Sequence, residues 1–408
     1  MRPSDAADQP GRPDRPGHAD RAHDIVLFGA TGFAGALTAE YLAEHAPADC
    51  RWALAGRTPA RLERLRDRLA EINPACAGLP LLTADAGDPA SLRAVAADTR
   101  VVATSVGPFA RYGEPLVAAC AAAGTDYADL TGEPEFVDLM YLRHHALARE
   151  TGARLVHACG FDSVPHDLGV HYTVSQLPAG VPLRVNGYVR SNGTISGGTL
   201  ASALHGMSRP VSTVRTARAR QRAEPRPAGR TVRSGPGAPH RARRPAGWAV
   251  PLPTIDPQIV GRSAAALDAY GPDFAYGHHA LVRRLPVAVG GAVGVAALLA
   301  AAQVPPVRTW LSGRLAPGDG PDAARRARSW FSVRFAGEGG GKRVVTEVAG
   351  GDPGYEETAK MFAESALCLA FDDLPETAGQ VTTAAAMGDA LTSRLVRAGL
   401  VFRVVESG

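Results

Sequence analysis

The chain has 408 residues, of which 45% are hydrophobic and 21% charged, and its net charge is +4. This length and composition exclude a wholly disordered protein and allow two domains, each with its own hydrophobic core. The five cysteines are widely spaced and contain no CxxC pair. Neither a disulfide framework nor a zinc site is therefore indicated, and we predict no metal site.

Residues 1–23 are rich in Pro, Asp, Arg and Gly and lack the apolar stretch of a signal peptide. We predict that they form a disordered leader and that the protein is cytoplasmic.

From Asp24 to about residue 160, short apolar runs alternate with helical patterns rich in Ala, Leu and Arg. The runs "DIVLFG", "RWALAG" and "TRVVATSVG" are typical of buried strands. Thr58-Pro59 and Asp88-Pro89 each put a capping side chain before a proline, as at helix starts. The alternation predicts βαβ crossovers, hence an α/β, doubly wound parallel sheet of the Rossmann type over residues 24–160.

The stretch "GATGFAG" joins the first strand to the first helix and contains three glycines at a spacing of three. Backbone amides and the positive helix end can bind a pyrophosphate at such a turn, although a tight turn without ligand has the same pattern. Because the turn lies inside a βαβ unit, we predict a dinucleotide site. Its candidate residues in the turn are Gly29, Thr31, Gly32, Phe33, Ala34 and Gly35.

The residues that follow the next strands specify the nucleotide. Arg57 stands where an NAD site usually has an acid, and a guanidinium suits a 2′-phosphate, so we predict NADP(H) as the cofactor. Asp85 is the candidate for the adenine end, or else a helix N-cap or a tight turn. The chain would pass the nicotinamide ribose after the fourth strand, at Val106, Gly107 and Pro108.

The motifs "GATGFAG", "ALAGR", "SVGPFARYGEPLVAACAAAGTDYADLTGE" and "ACGFDSVPHDLG" resemble those of the saccharopine dehydrogenase-like oxidoreductases. The chain is most similar to the actinobacterial trans-acting enoyl reductases within that family. The resemblance continues in "SGGTLAS" (196–202) and "TTAAAMGDALTSRL" (382–395).

The resemblance implies a second, α+β domain that caps the cofactor, which we assign to residues 161–375, with residues 376–408 packing back on the first domain. It also implies reduction of a carbon–carbon double bond in a polyketide or lipid precursor. The chain has only two lysines, Lys342 and Lys360, which makes the lysine chemistry of amino-acid dehydrogenation doubtful.

Four side chains near the expected nicotinamide end are candidates for the proton donor: Tyr112, Asp129, Glu133 and Asp162. No spacing rule selects among them, and each has a structural alternative as a core-edge ring, a turn former or a helix cap. The function therefore stays open between an NADPH-dependent enoyl reductase, a non-catalytic NADP-binding scaffold associated with lipid, and a saccharopine-type amino-acid dehydrogenase.

Two segments of the second half are unusual. Residues 209–244 carry a net charge of +10, against +4 for the whole chain, and we predict a flexible, Arg-rich insertion. It has no interleaved aromatic residue, so we predict no nucleic-acid partner. Residues 285–304 form an uncharged run that fits a buried helix, a membrane-surface element or a membrane span. We expect a hydrophobic acyl or polyketide substrate, and an anionic membrane surface as an optional partner at the inner face of the plasma membrane.

Overall fold

The computed structural model describes residues 20–193, 209–302 and 322–408. The motif at 196–202 and most of the leader lie outside these residues. The last part of the leader departs from the predicted disorder, because the first strand begins at His23. Arg21 donates hydrogen bonds to the carbonyl oxygens of Ala96, Thr99 and Ala123, which anchors this stretch to the first domain.

The first domain consists of short parallel strands that alternate with helices. Its strands are β1 His23–Phe28, β2 Trp52–Gly56, β3 Leu81–Thr83, β4 Thr99–Thr104, β5 Asp126–Asp129 and β6 Arg154–Val156. Its helices are α1 Phe33–His45, α2 Pro59–Ile72, α3 Pro89–Ala97, α4 Phe109–Tyr112, α5 Glu114–Ala123 and α6 Pro134–Thr151, with a 3₁₀ helix at Pro74–Gly78.

Together with β14 (Gly379–Val381), these strands form a sheet in the order β14-β6-β5-β4-β1-β2-β3, in which every pair is parallel. The middle residues of β1, β2 and β4 are apolar and buried because helices cover both faces of the sheet. The Asp88 side chain accepts a hydrogen bond from Ala90 N and caps α3, as predicted. The chain order changes direction between β1 and β4, and such a switch point forms a crevice at the carboxyl edge of a parallel sheet.

The second domain is built around a mixed sheet, in the order β15-β13-β12-β7-β11-β10-β9, with β8 pairing on β11. Its strands are β7 Leu183–Ser191, β8 Thr231–Gly235, β9 His240–Arg243, β10 Ala246–Pro251, β11 Asp273–Val282, β12 Phe331–Gly339, β13 Lys342–Gly350 and β15 Val401–Ser407, while β14 Gly379–Val381 belongs to the first sheet. The helices after β6 are α7 Val164–Ser175, α8 Pro210–Ala223, α9 Asp256–Ala266, α10 Leu285–Ala302, α11 Ala323–Arg326, α12 Glu356–Phe371, α13 Thr383–Ala386 and α14 Gly388–Arg397, with a 3₁₀ helix at Asp268–Tyr270.

The C-terminal segment 376–408 divides between the two sheets. Strand β14 pairs with β6 and extends the first sheet, whereas β15 pairs with β13 at the edge of the second. The expectation that the whole segment packs on the first domain is therefore corrected for β15, because the β12–β13 hairpin offers this strand a free edge.

The Arg-rich segment 209–244 is not the flexible insertion that its composition suggested. It forms α8, β8 and β9, and several of its arginines pair with acids elsewhere in the chain. Arg220 lies 2.8 Å from the buried Asp138 of α6 and also pairs with Glu224, and Arg230 lies 3.0 Å from Asp268. Its prolines and glycines are enriched in the turns between these elements. The prediction of a flexible insertion, which was based on composition alone, was therefore wrong.

The apolar run 285–304 forms α10 as far as Ala302, and its last two residues lie outside the described part. The side chains of Leu285, Val287 and Val289 are 46%, 59% and 54% exposed, so this end of the helix is not a core helix. In the described portion of the chain, none of the helices has the length and apolar character needed to cross a membrane.

Candidate functional site

The turn between β1 and α1 is shaped by the absence of side chains. Gly29 has a φ of +85°, a conformation that L residues rarely adopt. A Cβ on Gly35 would stand 2.3 Å from the carbonyl oxygen of Gly29, which explains why α1 can start so close to the turn. Gly32 is the exposed N-cap of α1, so the free amides of the first helical turn face solvent there. This geometry suits a pyrophosphate.

The end of β4 lies directly against this turn. The Ser105 hydroxyl donates a hydrogen bond of 3.2 Å to Gly29 O, and Val106 fills the space that a Cβ on Gly29 would need. Gly107 and Pro108 continue from there along the same edge of the sheet. The predicted turn residues and the predicted nicotinamide-side residues are thus adjacent in the fold.

The two residues predicted to contact the adenosine half of the cofactor differ in whether their side chains are free to bind it. Arg57 directly follows β2 and is exposed, so its guanidinium is free to meet a 2′-phosphate. The Asp85 carboxylate accepts a hydrogen bond of 2.8 Å from Gly87 N and so forms a tight turn after β3. That contact agrees with the structural alternative for Asp85.

The second domain reaches over the glycine turn. The rings of Phe33 and Tyr355 meet edge to face with centroids 4.8 Å apart. The Arg326 guanidinium lies 5.9 Å from the Phe33 ring centroid and 2.8 Å from Glu356. A cation from the capping domain therefore stands at the edge of the predicted pyrophosphate site.

Two of the four predicted proton-donor candidates are engaged in holding the scaffold. Asp129, fully buried at the end of β5, accepts hydrogen bonds from Tyr127 Oη, Thr131 N and Ala158 N, and lies 2.6 Å from His157 Nδ1. Burial and the neighbouring Asp129 raise the pKa of Tyr127 well above its ordinary value, so it stays a phenol that donates. Asp129 therefore fastens β5 to β6.

Glu133 likewise serves the backbone. Its two carboxylate oxygens accept hydrogen bonds of 2.9 Å each from Phe109 N and Ala110 N, the unpaired amides at the start of α4. It holds the loop after β4 in place beside the glycine turn.

Tyr112 and Asp162 remain at the edge of the crevice. Tyr112 is half-buried, with the Arg111 guanidinium 4.9 Å from its ring centroid. Asp162 is half-buried in the loop after β6, and a Cβ on Gly132, in the loop after β5, would lie 3.0 Å from its Oδ2. Burial raises the pKa of Asp162 to about 6. Of the four candidates, Asp162 combines a position at the carboxyl edge with a carboxyl that can carry a proton near neutral pH.

A cluster that the sequence analysis missed lies close to Asp162. His166 of α7, Asp256 of α9 and His278 of β11 converge in the second domain, although they are separated by up to 112 positions. Asp162 lies near enough to Asp256 to raise the pKa of its carboxyl further, after burial as the main cause. His166 lies inside the motif "ACGFDSVPHDLG", which was the available signal, but no spacing rule connects it with the other two residues.

Comparisons with known proteins agree with this geometry. Residues 25–156 match the family model described as the saccharopine dehydrogenase NADP binding domain. The chain is 44% identical to a Mycobacterium tuberculosis protein provisionally named a trans-acting enoyl reductase, over 93% of this chain and 97% of the relative. It is 38% identical to the trans-acting enoyl reductase of Mycobacterium ulcerans, over 94% of this chain and 98% of the relative.

Among solved structures, the fold matches apo saccharopine dehydrogenase (L-Glu forming) from Saccharomyces cerevisiae with a TM-score of 0.55. The match covers 94% of this chain and 99% of that one at 14% identity, which supports the fold alone.

The fold and the site define an NADP(H)-dependent oxidoreductase with a Rossmann domain and a second, mixed-sheet domain. The chain belongs to the saccharopine dehydrogenase-like family, within its trans-acting enoyl reductase group. The predicted cofactor class and fold class are confirmed. The glycine turn and the exposed Arg57 fit NADP(H), with amides for the pyrophosphate and a guanidinium for the 2′-phosphate.

Proposed function

We propose that the protein is an NADPH-dependent enoyl reductase that reduces the carbon–carbon double bond of an α,β-unsaturated acyl group in a polyketide or lipid precursor. The observation that carries this proposal is the placement of the glycine turn, the β4 loop and Asp162 in loops at the same carboxyl edge of the first sheet. It is supported by relatives named trans-acting enoyl reductases that match nearly the whole chain.

The proposed reduction adds a hydride and a proton to the double bond of the substrate. NADPH, held by the glycine turn and Arg57, would supply the hydride for the β-carbon of the double bond. A proton must then reach the α-carbon, which leaves a saturated acyl group. The chain contributes orientation of the acyl group, exclusion of water and the proton.

We assign the proton to the Asp162 carboxyl because Asp129 and Glu133 already bind backbone amides. Asp162→Asn should lower kcat by about 10²- to 10⁴-fold, the usual contribution of a general acid, and leave the Kd for NADPH unchanged. Tyr112→Phe is the matched control and should keep most of the activity. Loss of activity in Tyr112→Phe with retention in Asp162→Asn would transfer the role to Tyr112.

The function itself is tested by stoichiometry. The purified protein should oxidise one NADPH for each enoyl thioester reduced, as measured by absorbance at the nicotinamide band and by mass spectrometry of the product. NADPH binding without oxidation in the presence of several enoyl thioesters would favour a scaffold. Turnover with glutamate or 2-oxoglutarate and a partner amine would favour an amino-acid dehydrogenase.

The two lysines bear on that last alternative. Lys342 donates a hydrogen bond to Gln176 O beside the β12–β13 turn, and Lys360 pairs with Glu357 at 3.0 Å. Both lysine side chains are thus engaged with groups other than the crevice residues named above, which weighs against lysine-based amino-acid chemistry here.

We further propose that the enzyme contacts an anionic membrane surface through the start of α10. Exposed Leu285, Val287 and Val289 lie next to a groove of about 660 Å³ whose lining includes Arg241, Arg243, Trp248 and Arg283. An apolar helix end beside several guanidinium groups suits a bilayer with anionic headgroups, and each engaged arginine contributes about 1 kcal/mol near such a surface.

Sedimentation with vesicles tests this contact. The protein should pellet with vesicles that contain phosphatidylglycerol, stay in solution with phosphatidylcholine vesicles, and be released by high salt. Val287→Asp and the pair Arg241→Ala with Arg283→Ala should each weaken binding, whereas Arg64→Ala on α2 should not. Deleting 209–244 is not a usable test, because α8, β8 and β9 are part of the fold. Absence of binding to anionic vesicles at low salt would overturn the proposal.

A further inference from the structure

Three side chains from three separate elements converge in the second domain. His166 lies in the first turn of α7, Asp256 begins α9, and His278 lies in β11. One nitrogen of each histidine and one oxygen of the aspartate all lie within 4.8 Å of one another. His166 Nε2 is 3.4 Å from Asp256 Oδ1, and His278 Nε2 is 3.4 Å from Asp256 Oδ2.

The cluster is buried but incompletely hydrogen-bonded. The three residues are 2%, 2% and 0% exposed. His166 Nδ1, Asp256 Oδ1 and His278 Nε2 each lack a hydrogen-bond partner in the part of the chain that the structure describes. A buried polar atom without a partner costs about 1–3 kcal/mol, and such atoms in native proteins usually meet water or an ion.

We propose that His166, Asp256 and His278 form a binding site for a divalent transition-metal ion of the Zn²⁺ class. Two imidazoles and one carboxylate are a ligand set that Zn²⁺ and its neighbours prefer. With metal–ligand bonds of about 2.0–2.1 Å, tetrahedral ligands stand roughly 3.3 Å apart, close to the two separations in the cluster. The inference does not depend on the proposed enoyl reduction.

The protonation states agree with a metal site. Burial lowers the pKa of His278 to about 3, and burial followed by the nearby His278 lowers the pKa of His166 well below its ordinary value. Both imidazoles are therefore neutral at physiological pH, the form that binds metal. Burial also raises the pKa of Asp256, and a bound dication would compensate the buried negative charge of its carboxylate.

A second layer of hydrogen bonds orients the ligands. The Tyr276 hydroxyl lies 2.8 Å from His278 Nδ1 and can accept a hydrogen bond from Nδ1–H. In that tautomer the lone pair of His278 is on Nε2, the nitrogen that lies beside Asp256. The Thr254 hydroxyl donates a hydrogen bond of 2.5 Å to Asp256 Oδ2. Outer partners of this kind fix the tautomer and rotamer of the ligands in metal sites.

Three protein ligands leave one position of a tetrahedral ion open. Structural zinc sites close all four positions with protein groups, whereas catalytic sites keep one for water or substrate. The site would thus hold an exchangeable oxygen ligand.

Metal binding by the intact, tag-free protein tests the proposal. After treatment with EDTA and dialysis, the chain should take up one Co²⁺ or Zn²⁺ per molecule by elemental analysis. The cobalt form should absorb in the visible region with the intensity of a four-coordinate ion.

Asp256→Asn and His278→Asn should weaken uptake by more than about 100-fold, since even an outer-shell partner typically contributes 10- to 100-fold. His279→Asn is the matched control, because His279 is the next residue on β11, is equally buried, and stacks on Tyr188 instead. It should retain one ion per chain.

Absence of cobalt uptake by the wild-type chain would overturn the site, as would full uptake by a folded Asp256→Asn variant. Equal loss in His279→Asn would also overturn it, because the residue assignment would then be wrong. If the ligand variants do not fold, the wild-type stoichiometry and cobalt spectrum decide the question.

Discussion

The two sheets of this protein are assembled by different means. The first is parallel throughout, and its strands β1 to β6 are each joined to the next by a helix over a short stretch of chain. The second is mixed, and it pairs β7 with β11 and β13 with β15 across long separations in sequence. Local pattern therefore determines the first sheet, whereas the second depends on contacts that no local pattern contains.

The same difference separates the two groups of functional candidates. The glycine turn lies within seven consecutive residues, and its chemistry comes from backbone amides. The cluster of His166, Asp256 and His278 takes one side chain from each of three elements. We therefore expect changes in the first region to act on nucleotide binding, and changes in the second sheet to act on stability.

The largest expected effect on nucleotide binding is that of Gly32→Val. A Cβ at Gly32 would lie 3.3 Å from Gly29 O, a close contact that a shift of a few tenths of an ångström relieves, so we expect the variant to fold. The same side chain would project where the pyrophosphate approaches the helix amides, so the affinity for NADPH should fall more than about 100-fold. Fluorescence titration with NADPH measures this. Gly78→Val is the control, because a Cβ there meets open space; normal NADPH affinity in Gly32→Val would remove the turn from the site.

The first domain was largely predictable because its signals are short-range. Strand alternation, the proline at the start of α3 with its Asp88 cap, and the three glycines all act within a few residues of their own position. The roles of Asp129 and Glu133 were not predictable in the same way. Each carboxylate binds amides from a neighbouring loop, and which amides lack partners is known only once the strands lie side by side.

Arg57→Ala sharpens the comparison within the first region, because it should change cofactor preference without affecting the turn. Loss of a charge-assisted hydrogen bond to the 2′-phosphate should weaken NADPH binding by about 1–3 kcal/mol, or roughly 5- to 150-fold, and leave NADH binding almost unchanged. The exposed Arg64 on α2 provides the control variant Arg64→Ala. Equal weakening of NADPH and NADH would exclude Arg57 from the phosphate site.

In the second region, a prediction was wrong because the charged residues were interpreted without knowledge of their ion-pair partners. The arginines of 209–244 look like a solvated block, yet Arg220 is buried against Asp138 and Arg233 pairs with Asp273. Likewise, the cluster of His166, Asp256 and His278 could not be predicted, since no sequence motif relates the positions of its three residues. Only the topology of the second sheet brings them together.

The smallest effect that we predict concerns stability of the second sheet. Glu347 of β13 lies 2.9 Å from Arg334 of β12 and also contacts Arg403 of β15, so one carboxylate joins three adjacent strands. Glu347→Gln should lower the free energy of unfolding at pH 7 by about 1–2 kcal/mol, a value reduced by the exposure of both arginines. Glu338→Gln, which breaks only the exposed pair with Arg343, should cost less than about 0.5 kcal/mol in the same urea titration. NADPH affinity should be unaffected by either change.

The pH dependence of the stability difference between wild type and Glu347→Gln identifies the cause of that difference. Burial alone would raise the pKa of Glu347, but hydrogen bonds from Arg334, Arg403 and Ser332 lower it to about 2, against 4.5 for an ordinary glutamate. A carboxyl with a depressed pKa stabilises the fold fully above the unfolded value, and this stabilisation is lost as pH falls from about 4.5 toward 2. The gap between wild type and Glu347→Gln should therefore be constant from pH 7 to pH 5.5 and shrink by roughly half at pH 3. A gap of the same size at pH 7 and pH 3 would mean that Glu347 stabilises the second sheet by packing rather than by its charge.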